Sequence, residues 1–211
     1  MATVKTYSLK KDGDKSLSKN FKVREFRCKD GSDEILICQE TVDILQAVRN
    51  YFGQPVTINS AYRTPTWNKK VGGASSSQHV KGTACDIKVA NVPSWAVVAY
   101  LEANYPKHGI GFYSTFVHID SRGFKVYWKN TGSNVVTGFG YGIKYQQYKA
   151  KTIVESTKQK ITEVVQDKKQ EEEEMTLADF GKMYDALMAE KAKQAKSNWG
   201  EELDKAIEWA Q

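Results

Sequence analysis

Proline, glycine and histidine are distributed so unevenly along this chain that it divides in two before any motif is read. All four prolines, all three histidines and all but two of the 15 glycines precede residue 150. Glycine and proline punctuate turns and short elements, whereas a long stretch rich in Ala, Glu, Lys and Gln without them is helical. The charge divides at the same place: the net +6 of the 211 residues is +10 over residues 1–149 and −4 over residues 150–211. The expected organisation is a mixed domain over residues 1–148, a charged helical linker over 149–174 and a small helical hairpin over 175–211.

Within the first segment, Val42, Leu45, Val48 and Phe52 recur at helical spacing from Glu40 onward, and Gly53 supplies a stop. PSWAVVAYLEANY reads as a second helix with Pro93 at its first turn. PVTINSAY, ACDIKVA, GFYSTFVHID and GFKVYW are β-branched and aromatic runs that read as strands, the last two joined by a hairpin at Ser121-Arg122-Gly123. Helices and strands in this order predict an α+β fold, a small antiparallel sheet with flanking helices. In the tail, Ile153, Val154, Thr157, Ile161, Val164 and Val165 recur near a 3.5-residue period, which predicts a solvated linker helix or a short coiled coil. Phe180, Tyr184, Leu187 and Met188 form one further stripe and Trp199, Leu203 and Ile207 another, so the hairpin has an incomplete core that a second copy of itself, a wall polymer or another partner is expected to cover.

Several function classes are excluded on composition. No apolar run approaches the length of a transmembrane helix, and the N-terminal residues lack the apolar core of a signal peptide. The expectation is a protein made in a cytoplasm and released by another route. Cys28, Cys38 and Cys85 are an odd number without CxxC spacing, so buried thiols are expected rather than a disulfide framework. The basic excess of the first segment would attract any polyanion, but no aromatic-interleaved basic motif argues for nucleic acid.

Chemically able side chains concentrate in SSSQHVKGTACD, with His79 and Asp86, and in FVHID, with His118 and Asp120. Asp86 opens an apolar strand, where an inward carboxylate is costly unless paired or metal-bound. Strand alternation places Phe116, His118 and Asp120 on one face and Val117 and Ile119 on the other. Two imidazoles and a carboxylate suit a catalytic zinc, whose fourth position stays with water. Spacing alone leaves core or surface histidines as the alternative.

The string SAYRTPTWNKKVGGASSSQHVKGTACDIKV followed by GIGFYSTFVHIDSRG resembles the zinc D-alanyl-D-alanine carboxypeptidase and L-alanyl-D-glutamate endopeptidase family, which cleaves peptidoglycan stem peptides. The motifs are Tyr62-Arg63, then Ser77, His79, Gly82, Ala84 and Asp86, then His118 and Asp120, and the likeness runs from about Asn20 to about Trp128. The resemblance implies one zinc on His79, Asp86 and His118, with Arg63 holding a substrate carboxylate or carbonyl. Some members carry an acid three positions before the last ligand, where this chain has Thr115. That leaves Asp120 as the expected catalytic base, with a role in orienting a ligating histidine as the alternative. Ala61 and Trp67 depart from common residues and are expected beside the substrate groove. His108 is expected in an exposed loop, Cys85 in the core, and Tyr113 either in the groove or packed on the sheet.

The expected function is therefore a zinc metallopeptidase acting on stem peptides at the bacterial cell wall, of carboxypeptidase or endopeptidase type, and specifically an endolysin of a phage or prophage. The rival expectation is a wall-binding or phage structural module that keeps the fold without hydrolysis.

Overall fold

The computed structural model describes residues 3–130, 134–173, 179–191 and 193–194. The chain divides into two compact units, Met1–Ala150 and Lys151–Gln211.

In the first unit, β1 (Val4–Ser8) runs into a single helical turn, α1 (Leu9–Asp12), and a 3-10 turn covers Val23–Phe26. The strand β2 (Glu34–Cys38) pairs antiparallel with β1 and leads directly into α2 (Gln39–Phe52). Of the expected stripe, Val42, Leu45 and Val48 are buried and Phe52 packs partly buried against the core, while Thr41 and Ile44 are buried as well. Its end is a left-handed cap: Gly53 has φ 62° and donates its N–H to the Arg49 carbonyl.

The remaining strands are β3 (Val56–Ser60), β4 (Ala84–Val89), β5 (Gly109–Phe112), β6 (Val117–Asp120), β7 (Val126–Lys129) and β8 (Val135–Val136). They form one six-stranded sheet in the order β3-β4-β6-β5-β7-β8. Between them lie α3 (Pro65–Lys70), capped by Thr64 with Pro65 in its first turn, and α4 (Ser94–Asn104), entered from Pro93. All pairings are antiparallel except β5 with β7. The fold is thus α+β, a two-stranded and a six-stranded sheet with helices.

Two expectations about strands are corrected. GFYSTFVHID is a hairpin of two strands, β5 and β6, turned at residues 113–116 where the Tyr113 N–H bonds the Phe116 carbonyl at 3.2 Å. The segment Ser121-Arg122-Gly123 does not close a hairpin of β6 with β7, because β4 and β5 already occupy both edges of β6. The strand β7 instead crosses to the outer edge of β5 and pairs with it in parallel.

Alternation sorts the sheet faces. Cys85, Ile87 and Val89 of β4 and Val117 and Ile119 of β6 join the core with α2 and α4. Asp86, His118 and Asp120 belong to the opposite face, and all three are buried.

A long helix, α5 (Gly142–Glu173), begins in the first unit, where Tyr145 is buried, and crosses the boundary at residue 150. Beyond that boundary, Ile153, Val154, Ile161, Val164 and Val165 are exposed, as are Phe180, Tyr184, Leu187 and Met188 on the helix of residues 179–191. The second helix expected in the hairpin, with Trp199, Leu203 and Ile207, lies outside the described residues. Among the described residues no helix is long and apolar enough to cross a membrane.

Candidate metal centre

The strand register brings distant residues together. Asp86 of β4 sits directly opposite His118 of β6, and Ala84 opposite Asp120. The third residue, His79, comes from the loop before β4. That loop is pinned by backbone hydrogen bonds from Arg63 N–H and Gly82 N–H to the His79 carbonyl, at 3.2 and 3.1 Å. Gly82 makes this turn possible: its φ is +70°, and a Cβ there would lie 2.5 Å from the Leu36 carbonyl oxygen in β2.

One donor atom each from His79, Asp86 and His118 lies within 4.8 Å of the others. His79 Nε2 is 3.2 Å from His118 Nδ1, and Asp86 Oδ1 is 3.3 Å from the first and 2.9 Å from the second. Donors about 2.05 Å from one ion in tetrahedral arrangement are about 3.3 Å apart, so this triangle has the edges such an ion needs. The chemistry of the donors agrees, since two imidazoles and a carboxylate with no thiolate suit zinc better than softer or all-oxygen ions.

Each donor is aimed by a partner on its other side. His79 Nδ1 lies 2.7 Å from the Ala61 carbonyl, which can only accept, so that nitrogen carries the proton and Nε2 presents its lone pair. Asp86 Oδ2 accepts from Arg63 Nη2 at 2.7 Å, leaving Oδ1 for the centre. His118 Nε2 donates to Asp120 Oδ2 at 3.0 Å, leaving Nδ1 for the centre.

The electrostatics follow from these contacts. Burial holds the His79 ring below its ordinary value and so keeps it neutral, as a ligand must be. Burial opposes charge on His118 too, but Asp120 and Asp86 overcome it and push the metal-free ring up to about 9. Burial likewise works against charge on Asp86 and Asp120. The rings of His118 and His79 beside Asp86, and His118 with Arg122 against Asp120, nevertheless hold both carboxyls far below the usual range.

A groove of about 710 Å³ opens over the triad. Gly73, Ser76, Ser77 and Gln78 line it together with Arg63, and Tyr113, Phe116 and Trp128 add aromatic rings. Tyr113 thus belongs to the groove: it stacks on Phe116 at 4.2 Å, and its hydroxyl accepts from Trp128 Nε1 at 3.0 Å. Arg63 also donates from Nε to Ser60 Oγ at 2.8 Å, which holds its fork at the groove wall.

Asp120 shares the sheet face of His118 but does not line the groove. Its side chain is fully covered, and both oxygens are taken, by His118 and by the Nε and Nη2 of Arg122 at 2.7 and 2.6 Å. Having a face in common with His118 therefore does not give it access to a substrate. Thr115 lines a separate small cavity with Ile87 and Val97. Ala61 and Trp67 do not line the groove either; Ala61 is buried and acts through its carbonyl on His79. His108 is not a free loop histidine, since its ring is mostly covered and pairs with Glu40 at 3.0 Å. Cys28, Cys38 and Cys85 are free and buried.

Arg122, Trp128, Gly109 and Gly111 form part of the site and carry no motif of their own. The legible signal was the alternation Gly-x-Gly in β5, which lies opposite His-x-Asp in β6. A Cβ on Gly111 would lie 2.5 Å from the Trp128 ring, and one on Gly109 would collide with the Asp120 carboxylate. Both glycines clear space for the side chains behind His118.

A family model described as peptidase M15 matches residues 17–120, which contain all three donors. Residues 17–120 are thus similar to the peptidase M15 family. A 44-residue stretch, 20% of the chain, is 48% identical to the zinc D-Ala-D-Ala carboxypeptidase of Streptomyces albus G and spans 17% of that protein. Both the donor triad and the arginine that steadies Asp86 lie inside the M15 region.

Proposed function

We propose that the M15 domain is a zinc peptidase that hydrolyses peptide bonds in peptidoglycan stem peptides. The observation that carries this reading is the triangle of His79 Nε2, Asp86 Oδ1 and His118 Nδ1, each aimed inward by a partner on its outer side and open to a groove. The family match and the named carboxypeptidase relative support the substrate class. When bound, zinc supplies Lewis-acid polarisation of a carbonyl and lowers the pKa of its water to about 7.

The chain's own residues do the rest. Ala61 and Asp120 fix the two imidazole tautomers, and Arg63 keeps Asp86 ionised and oriented. The guanidinium N–H groups of Arg63 not spent on Ser60 and Asp86 hold a substrate carboxylate or carbonyl at the groove wall. Asp120, enclosed behind His118, acts by orienting that ring rather than by taking a proton from substrate or water.

The experiment is elemental analysis of the purified chain together with release of new amino groups from purified peptidoglycan. The expected result is one zinc per chain and hydrolysis that a chelator stops and added zinc restores. Hydrolysis that continues after complete zinc removal would exclude the reading.

One observation favours a second reading, a wall-binding module without hydrolysis: among the described residues that line the groove, the one carboxylate is Asp86, already assigned to the metal. Under it the protein would bind zinc and peptidoglycan but release no amino groups.

We also propose that residues 151–211 serve assembly or wall attachment and that the protein acts as a phage-type endolysin. The tail role is supported by the row of exposed apolar side chains on α5 and on residues 179–191. Deleting 151–211 is expected to leave hydrolysis of a soluble stem peptide within about twofold, because every proposed ligand precedes β7. The same deletion should slow lysis of intact walls or reduce the sedimenting mass. Equal lysis and equal mass would remove both roles from the tail.

A further inference from the structure

We propose that Arg122 is a positioning residue for the metal centre, acting on His118 through Asp120. This rests on the metal reading above and extends it to a side chain outside the donor triad.

The chain leaves β6 at Asp120 with both strand edges occupied, and it is then held from below. Ser121 N–H bonds the Thr83 carbonyl at 3.0 Å, and Ser121 Oγ lies 3.0 Å from Thr41 Oγ1 in α2. With Ser121 anchored in the core, Arg122 folds back over the carboxylate two residues before it. Its backbone N–H and its Nε meet Asp120 Oδ1 at 3.2 and 2.7 Å, and its Nη2 meets Oδ2 at 2.6 Å. Two parallel N–H···O bonds fix the plane of a carboxylate as well as its place. Asp120 Oδ2 then accepts from His118 Nε2, so the direction in which Nδ1 points depends on where Arg122 holds Asp120.

The guanidinium is itself confined by aromatic rings. It lies 5.5 Å from the Trp128 ring and 5.8 Å from Phe124. Trp128 in turn packs 4.9 Å from the His118 ring and is tied down by its N–H to Tyr113. Arg122, Asp120, His118 and Trp128 therefore form a closed ring of contacts around the imidazole, and Gly111 leaves the space in which the indole sits. A lysine at 122 would neutralise Asp120 as a point charge without fixing its plane.

The test measures zinc affinity of the full chain by competition with a chromogenic chelator, for wild type, Arg122→Met, Arg122→Lys, Asp120→Asn and the Arg122→Met/Asp120→Asn double variant. Partners that orient a ligating histidine are worth about tenfold to a hundredfold in metal affinity. Arg122→Met is expected to weaken zinc binding by that factor and Arg122→Lys to recover only part of it. On the Asp120→Asn background Arg122→Met should add less than about twofold, because the path through Asp120 is already cut. Unchanged affinity in folded Arg122→Met, or an equal loss on both backgrounds, would overturn the proposal. If Arg122→Met does not fold, Arg122→Lys decides: full wild-type affinity overturns the proposal, and weakened affinity with an unchanged far-UV spectrum supports it. A wild-type chain that binds no zinc would instead sink the metal reading, and this one with it.

Discussion

Replacing His118 by alanine is expected to strip the centre of its metal and to lower peptidoglycan hydrolysis by about a thousandfold or more. His118 joins the candidate triad to the carboxylate behind it. Its Nδ1 is 2.9 Å from Asp86 Oδ1 and 3.2 Å from His79 Nε2, while its Nε2 receives the orientation that Asp120 supplies. Alanine removes a donor and also leaves Asp120 facing Arg122 alone. The measurement pairs zinc content by elemental analysis with amino-group release, and thermal unfolding in excess chelator serves as the folding control. Full zinc content and undiminished hydrolysis in the variant would end the assignment of His118 as a ligand. The Asp86→Asn variant gives a useful contrast, because it keeps the shape of the side chain while discarding the charge that Arg63 pairs with and that the proposed metal would share.

The largest effect on stability is expected away from the donors, at Gly82. Its φ of +70° costs an L-residue about 1–2 kcal/mol, and an added Cβ would meet Leu36 backbone and side-chain atoms at 2.5–2.6 Å. The obstacle includes a strand carbonyl, which cannot rotate aside, and overpacking of this kind adds about 1–3 kcal/mol. Gly82→Ala should therefore destabilise the fold by about 2–5 kcal/mol, read as a fall in the denaturant midpoint at constant slope. Because Gly82 N–H closes the loop on the His79 carbonyl and its own carbonyl accepts from Cys38 N–H, zinc affinity should fall as well. A midpoint within experimental error of wild type would show that β2 yields at Leu36.

The glycine of the His-x-x-Gly motif is thus explained by backbone geometry: the turn that delivers His79 passes too close to β2 for any side chain. A sequence pattern marks the position, but the neighbour that forbids a Cβ is 46 residues upstream. The same holds for Gly109 and Gly111, legible as an alternating pair, yet needed only because Asp120 and Trp128 fill the space beside them.

Local periodicity and local chemistry were legible along the chain. Helical spacing placed α2 and most of its buried face, alternation placed His118 and Asp120 on one face of β6, and glycine and proline grow scarce after residue 150, where the first compact unit ends. The side chains gathered at the candidate centre were readable too, because two imidazoles and a carboxylate are among the few groups that suit zinc. Tertiary structure decided the rest, since it depends on partners far apart in the chain. The parallel placement of β7 follows from β4 and β5 having filled both edges of β6. The protonated nitrogen of each histidine follows from Ala61 and Asp120, one a backbone carbonyl without any sequence signature. The position of Asp120 behind His118 follows from Arg122 closing over it, a contact only two residues long that needs Ser121 pinned against Thr41, 80 residues away. Periodicity states which way a side chain points, whereas the depth at which it is buried and the partners that take its lone pairs are set by packing across the fold.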